Sequence, residues 1–318
     1  MLAIIIGLTI GVGLPMQTSV NSRLRQSLGS PFWASFISFL IGTLFLAAIT
    51  LFEQHTLLIA STVITTQPAW LWLGGLFGVV YLTGNIVLFP KIGSVQTVIM
   101  PVLGQILAGL LIDNFGWFHS PVSQLTLVRG LGALLVLVGV IITVAGNDWL
   151  ARKTGQGGYE SVLEATPKGS HLMLWRLFGV FAGMLSASQT AINGHLGLVL
   201  NSKIQAAFIS FLIGTVALGL IVLVLRLKWH YQSPANGHNP WWMWIGGFIG
   251  SFYILGNIYL VPLVGTGLAV IIVLVGLMAG SLLIDQFGWL ASKRNPVTSI
   301  QLIGLVVMIA GVGVVRLL

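Results

Sequence analysis

The octamer FISFLIGT, from Phe36 to Thr43, recurs letter for letter from Phe208 to Thr215, 172 residues further on. Apolar letters match by chance, so the neighbours at the same offset decide what the repetition means. Gly7 and Gly11 fall on Gly179 and Gly183, and Gln17 and Asn21 fall on Gln189 and Asn193. Gly74, Gly75 and Gly78 fall on Gly246, Gly247 and Gly250, while Tyr81, Gly84, Asn85 and Pro90 fall on Tyr253, Gly256, Asn257 and Pro262. LLIDNFGW from Leu110 falls on LLIDQFGW from Leu282. Polar and glycine positions held in one register mark an internal duplication, which has to be found before any fold is assigned. The chain therefore divides into a first copy over residues 1–146, a polar linker over 147–170 and a second copy over 171–318.

Composition places both copies in a membrane. Hydrophobic residues make up 56% of the 318 positions and charged residues 6%, against roughly 25% charged in an ordinary soluble domain. A spanning helix needs about 20 apolar residues, and each copy offers five such runs. In the first copy they are Leu2 to Val20, Phe32 to Phe52, Trp70 to Leu88, Val95 to Ile112 and Thr126 to Ala145. In the second they are Leu172 to Thr190, Gln205 to Leu225, Trp242 to Leu260, Gly267 to Ile284 and Ser299 to Val315. The runs are continuous, whereas outer-membrane strands would alternate over about ten residues. The expected fold class is an all-α polytopic membrane protein of ten transmembrane helices. No basic residue precedes the first run and no A-x-A-like site follows it, so it reads as a helix and not a signal peptide.

Five spans per copy is odd, so two copies in tandem enter the membrane in opposite orientations. With the N-terminus outside, the inner breaks carry Arg23, Arg25, Lys91, Arg152, Lys153, Lys168, Arg176, Arg226, Lys228, Lys293 and Arg294. The outer side keeps only Arg129, Lys203 and Arg316. That bias is the positive-inside pattern, and it puts both termini outside and the linker in the cytoplasm. The net charge of +8 is accounted for as topology, since no basic patch is interleaved with base-stacking aromatics; nucleic acid is not an expected partner. Two homologous units inserted upside down form inverted five-helix repeats, the build of many secondary transporters.

Gly11, Pro15, Gln17, Asn21 and Leu24 form the pattern G-x-x-x-P-x-Q-x-x-x-N-x-x-L, followed by SPFWASFISFLIGT, YLTGN, PVLGQILAGLLIDNFGWF and a glycine-spaced last helix. This combination resembles the YdcZ-like family of the drug/metabolite transporter superfamily, in its fused ten-span form. The resemblance covers both copies and leaves out the linker. It implies a bacterial-type inner membrane protein that carries a small solute, with the first, third and fourth helices of each copy facing a cavity. Copy two departs from the pattern, with Ala187 where copy one has Pro15 and Ser188 where it has Met16.

Polar side chains inside spans are rare, and each is a functional candidate. Gln17 and Asn21, Tyr81 and Asn85, Gln189 and Asn193, and Tyr253 and Asn257 are i, i+4 pairs, each on one helix face. The expectation is that these eight residues line a central substrate-binding cavity; knitting helices together by hydrogen bonds is the alternative role. Gly7 and Gly11, Ser38 and Gly42, and Ser210 and Gly214 have the small-x-x-x-small spacing of close helix packing. Asp113 and Asp285 stand where a span meets water, next to Trp117 and Trp289, with local pairing and coupling to protons as their two readings.

Several functions find no support. Cysteine is absent, which removes disulfides, thiolate chemistry and Cys-based metal sites. The histidines show neither HExxH spacing nor a nucleophile and base pair, so no enzyme activity, metal or cofactor is expected. No carboxylate lies in the middle of a span, which disfavours a cation/proton exchanger built on a membrane glutamate. The expectation is a secondary transporter of a small neutral or zwitterionic metabolite, contacting lipid and acting as a monomer (an internal pseudo-dimer) or a homodimer. A solute channel, a lipid flippase and a non-transporting receptor are the competing readings.

Overall fold

A computed structural model describes residues 2–153, 172–233, 238–292 and 294–317. Regular structure among them is helical: α1 (Leu2–Leu28), α2 (Pro31–Gln54), the short α3 (Ser61–Thr66), α4 (Gly74–Phe115), α5 (Leu127–Lys153), α6 (Leu172–Val199), α7 (Lys203–Val224), α8 (Gly246–Val264), α9 (Thr266–Phe287) and α10 (Ser299–Leu317). Among the described residues, eight stretches are long and apolar enough to cross a membrane. The predicted linker lies outside the described residues from position 154 onward.

Equivalent sequence signals end equivalent helices. Ser30 and Ser202 cap α2 and α7, their hydroxyls accepting from Trp33 N and Gln205 N, which satisfies one of the amides that every helix start leaves without a partner. Gly116 and Gly288 stop α4 and α9 at φ +63 and +65, a conformation that favours glycine.

One expectation changes form. The third and fourth runs of the first copy, predicted as separate helices, belong to the 42-residue α4. A straight helix of that length would reach about 63 Å, twice the hydrocarbon thickness of a bilayer. It is not straight, because a Cβ added at Gly179 would stand 3.4 Å from Leu88 and 2.9 Å from Met100. Twelve residues of straight helix span about 18 Å, so the chain doubles back between those two contacts and both limbs lie along α6. The second copy makes the same reversal with a true break at Gly265, φ +78, between α8 and α9.

The copies meet through reciprocal contacts. Phe39 packs on Phe211 with ring centroids 5.0 Å apart, and Thr43 hydrogen-bonds Thr215 at 2.7 Å. Each of these residues is paired with its own counterpart. Off these points contacts come in twos: Gly75 faces the Ser210 carbonyl as Gly247 faces that of Ser38, and Gly42 faces Phe211 as Gly214 faces Phe39. Such reciprocity is the signature of a two-fold axis. Along α2 and α7, Phe36 meets Gly219 while Phe39 meets Gly214, so the equivalent helices run antiparallel and the axis lies across them. The octamers sit on that axis.

Glycine supplies the close approaches. In lipid, helices are held by contact and hydrogen bonds more than by water expulsion, so backbones have to come near. Gly11 meets the Val273 carbonyl and the Gly276 backbone, Gly183 the backbone of Pro101, and Gly7 the side chain of Ile272. At the periphery α5 and α10 pair antiparallel, Gly132 against Gly311 and Gly139 against Gly304.

Candidate functional site

The reversal of α4 and the break between α8 and α9 bring five helices around the middle of the molecule. The cavity there is lined by Leu14 of α1, Gln105 of α4, Ser186 and Thr190 of α6, Tyr253 and Asn257 of α8, and Val270, Val273, Leu274 and Leu277 of α9. The free space is about 10 Å³, room for about one water. Gln105 Nε2 donates to Ser186 Oγ at 3.0 Å. The Tyr253 phenol lies in hydrogen-bonding reach of Asn257, Thr190 and Ser186, and Tyr81 in reach of Asn85 and Gln105.

The eight amide and phenol residues therefore occupy two kinds of place. Tyr81, Asn85, Tyr253 and Asn257 belong to the cavity wall or the shell bonded to it. Gln17 and Asn21 lie instead in notches at Gly250 and Gly246, and Gln189 and Asn193 in notches at Gly78 and Gly74, where a methyl group would overlap each amide. These four sit between helices and are not among the cavity's lining residues. Gln105 and Ser186 are cavity residues that the pairing of like with like passes over, whereas Thr190 repeats Thr18 of the first copy.

The two ends of the molecule are not equivalent. Toward the start of α9, Asp113 is fully buried, which corrects its expected place at the water boundary. It accepts from the backbone N–H of Thr266 at 2.7 Å and Gly267 at 2.8 Å and from Ser120 Oγ at 3.0 Å, with Arg129 Nη2 at 3.5 Å. A carboxylate at a helix N-terminus meets both free amides and the positive end of the helix dipole. What buries it is α9, from 153 residues further along the chain. Its counterpart Asp285 is partly exposed and, among the described residues, its carboxylate has no bonding partner; Gln301 stands at the position equivalent to Arg129. The amides repeat this difference. Asn193 Nδ2 donates to Ser210 Oγ at 3.0 Å while its Oδ1 has no partner, whereas Asn21 is buried with neither polar side-chain atom bonded.

Aromatic rings close the Asp113 end. His119 and His195 stack at 4.4 Å, with Trp70 5.7 Å from His195. Among the described residues no three His, Cys, Asp or Glu side chains gather in a metal-binding group. Trp117 and Trp289 are half-exposed and stack on Phe115 and Phe287, a placement that suits membrane interfaces.

Comparison with known proteins follows the same division of the chain. The DMT_YdcZ family model, described as "Putative inner membrane exporter, YdcZ", matches twice, over residues 2–142 and 174–314. The inner membrane protein YdcZ of Escherichia coli (strain K12) is 26% identical over 129 residues, 41% of this chain and 85% of that protein. A solved structure described as "Crystal structure of protein" superposes with a TM-score of 0.67 at 16% identity, covering 99% of this chain and 96% of the other; at that identity it speaks for the fold alone.

Proposed function

We infer a transport cycle from one established premise: the chain belongs to the DMT_YdcZ family and carries two copies of the family unit. It is a multi-pass inner membrane protein, and the cycle moves a small neutral or zwitterionic solute by alternating access. The observation that carries this reading is the unequal state of the two ends. Among the described residues, Asp113 accepts from two backbone amides and Asn193 donates through Nδ2, its Oδ1 left without a partner, while neither the Asp285 carboxylate nor the Asn21 amide is bonded. Two copies of one unit have two arrangements available, and exchanging them would open the Asp113 end while closing the other. Solute binding favours whichever arrangement holds it best.

A disulfide lock tests this. The chain has no native cysteine, and Ser120 Oγ and Thr266 Oγ1 are 2.9 Å apart. The pair Ser120→Cys and Thr266→Cys should form a cross-link on oxidation that abolishes solute counterflow in liposomes, and reductant should restore it. Undiminished counterflow in protein shown to be fully cross-linked would defeat alternating access at this end.

Orientation is a separate part of the proposal: both termini and the Asp113 end face outward, as the basic residues indicate. Ser22 is exposed beside Arg23. A Ser22→Cys variant should react with an impermeant maleimide in inside-out vesicles only. A Ser292→Cys variant should behave the same way, and labelling of either in right-side-out vesicles would reverse the assignment.

A further inference from the structure

The cavity has two walls of different chemistry, and the difference follows the helices. Gln105, Ser186, Thr190, Tyr253 and Asn257 come from α4, α6 and α8; Leu14, Val270, Val273, Leu274 and Leu277 come from α1 and α9. The two-fold relation makes this informative. Gln105 is the counterpart of Leu277, and Ser186 of Leu14. Where symmetry would place the same side chain on both walls, this chain has an amide facing a leucine and a hydroxyl facing a leucine.

None of the lining residues is charged. A carboxylate or ammonium group moved there from water would lose its hydration with no opposite charge to meet it, a cost of several kcal/mol. Hydroxyls, amides and a phenol can satisfy a neutral polar head, because together they offer donors and acceptors. The aliphatic wall would lose packing and gain nothing from a solute that is polar all round.

We propose that the cavity takes an uncharged amphipathic solute, a carboxamide or alcohol head held by Gln105 and Ser186 and a branched aliphatic end held by Leu14 and Leu277. This rests on the transport reading and narrows it: zwitterions are excluded, and the solute binds in one orientation. Binding exchanges the Gln105 to Ser186 hydrogen bond for bonds to the head. The closed space widens around the tail as α1 and α9 move apart from α4, α6 and α8. Gln105 is then the residue that sets specificity.

The test uses the purified full-length chain with isovaleramide as probe, compared with isovalerate and isopentylammonium, which carry charged heads on similar tails, and with acetamide, which lacks the tail. Isovaleramide should raise the melting temperature and bind about tenfold or more tighter than each of the other three. Gln105→Leu should weaken isovaleramide about fivefold, the worth of a neutral hydrogen bond. Ser186→Ala gives the same reading should Gln105→Leu fail to fold. Equal or tighter binding of either charged analogue, equal binding of acetamide, or unaltered isovaleramide binding in both variants would overturn the proposal. Liposome flux separates the two levels. Isovaleramide that binds with these preferences but does not cross would sink the transport reading and leave the site standing. A charged solute that crosses, and is stopped by the Ser120 to Thr266 cross-link, would do the reverse.

Discussion

Asp113→Ala destabilises the detergent-solubilised protein by about 3–5 kcal/mol, the usual cost of removing one partner from a buried ion pair. Arg129 is only 6% exposed, and the loss leaves its guanidinium with the carbonyls of Ser123 and Gln124 but no opposite charge. It also strands the amide of Gly267 at the start of α9 and leaves that of Thr266 with only Ser120 Oγ, 3.3 Å away. Asp113→Asn keeps the volume but turns an N–H toward amides that already donate, so it falls between wild type and alanine. Asp285→Ala, with no bonded carboxylate among the described residues, changes stability by less than about 1 kcal/mol. Thermal or denaturant unfolding of the three variants in one detergent is the measurement. Equal losses at positions 113 and 285 would show that the bonds around Asp113 hold nothing together.

Gly183→Ala has a comparable effect by another route. The added Cβ meets the carbonyl oxygen, carbonyl carbon and Cα of Pro101. Those are backbone atoms of a packed helix and cannot swing aside, so α4 and α6 have to separate along their contact. Overpacking of this kind costs about 1–3 kcal/mol and occasionally more. Its counterpart Gly11→Ala drives into the Val273 carbonyl and the Gly276 Cα and behaves alike. The control is Gly130, around which nothing lies within 4 Å of an added Cβ; alanine there gains about 0.5–1 kcal/mol from helix propensity. If Gly183→Ala and Gly130→Ala melt together, the close approach of α4 to α6 is not what fixes the fold.

The duplication was legible because glycines and amides repeat at one offset, and so was the helical membrane class, because long apolar runs have few other homes. The course of α4 was legible as two runs, since Pro90 and Gly93 interrupt the pattern, but not as one helix turned on itself. Gln105 and Ser186 do not stand out in the sequence. Matching the copies selects residues that agree, and the cavity's specificity lies where they disagree, Gln105 against Leu277 and Ser186 against Leu14. The notches were half legible: Gln189 and Gly78 each stand out alone, but their meeting depends on how α6 docks against α4. Asp113 at a helix end reads as interfacial, and only the start of α9, far along the chain, takes it out of water.

The Thr43 to Thr215 hydrogen bond has one more consequence. Both hydroxyls also lie in reach of their own helix, Thr43 Oγ1 of the Phe39 carbonyl at 2.8 Å and Thr215 Oγ1 of the Phe211 carbonyl at 2.9 Å. Each hydroxyl has one proton to give, so the three links cannot all be filled at once. With the cross-link made, either Thr43 donates across and Thr215 donates to its own helix, or the order is mirrored. The heavy atoms can obey the two-fold relation at this point, but the protons cannot. Two residues of the same kind, in matched surroundings, are thereby made inequivalent, and concerted rotation of the two O–H bonds exchanges their roles without moving a carbon atom.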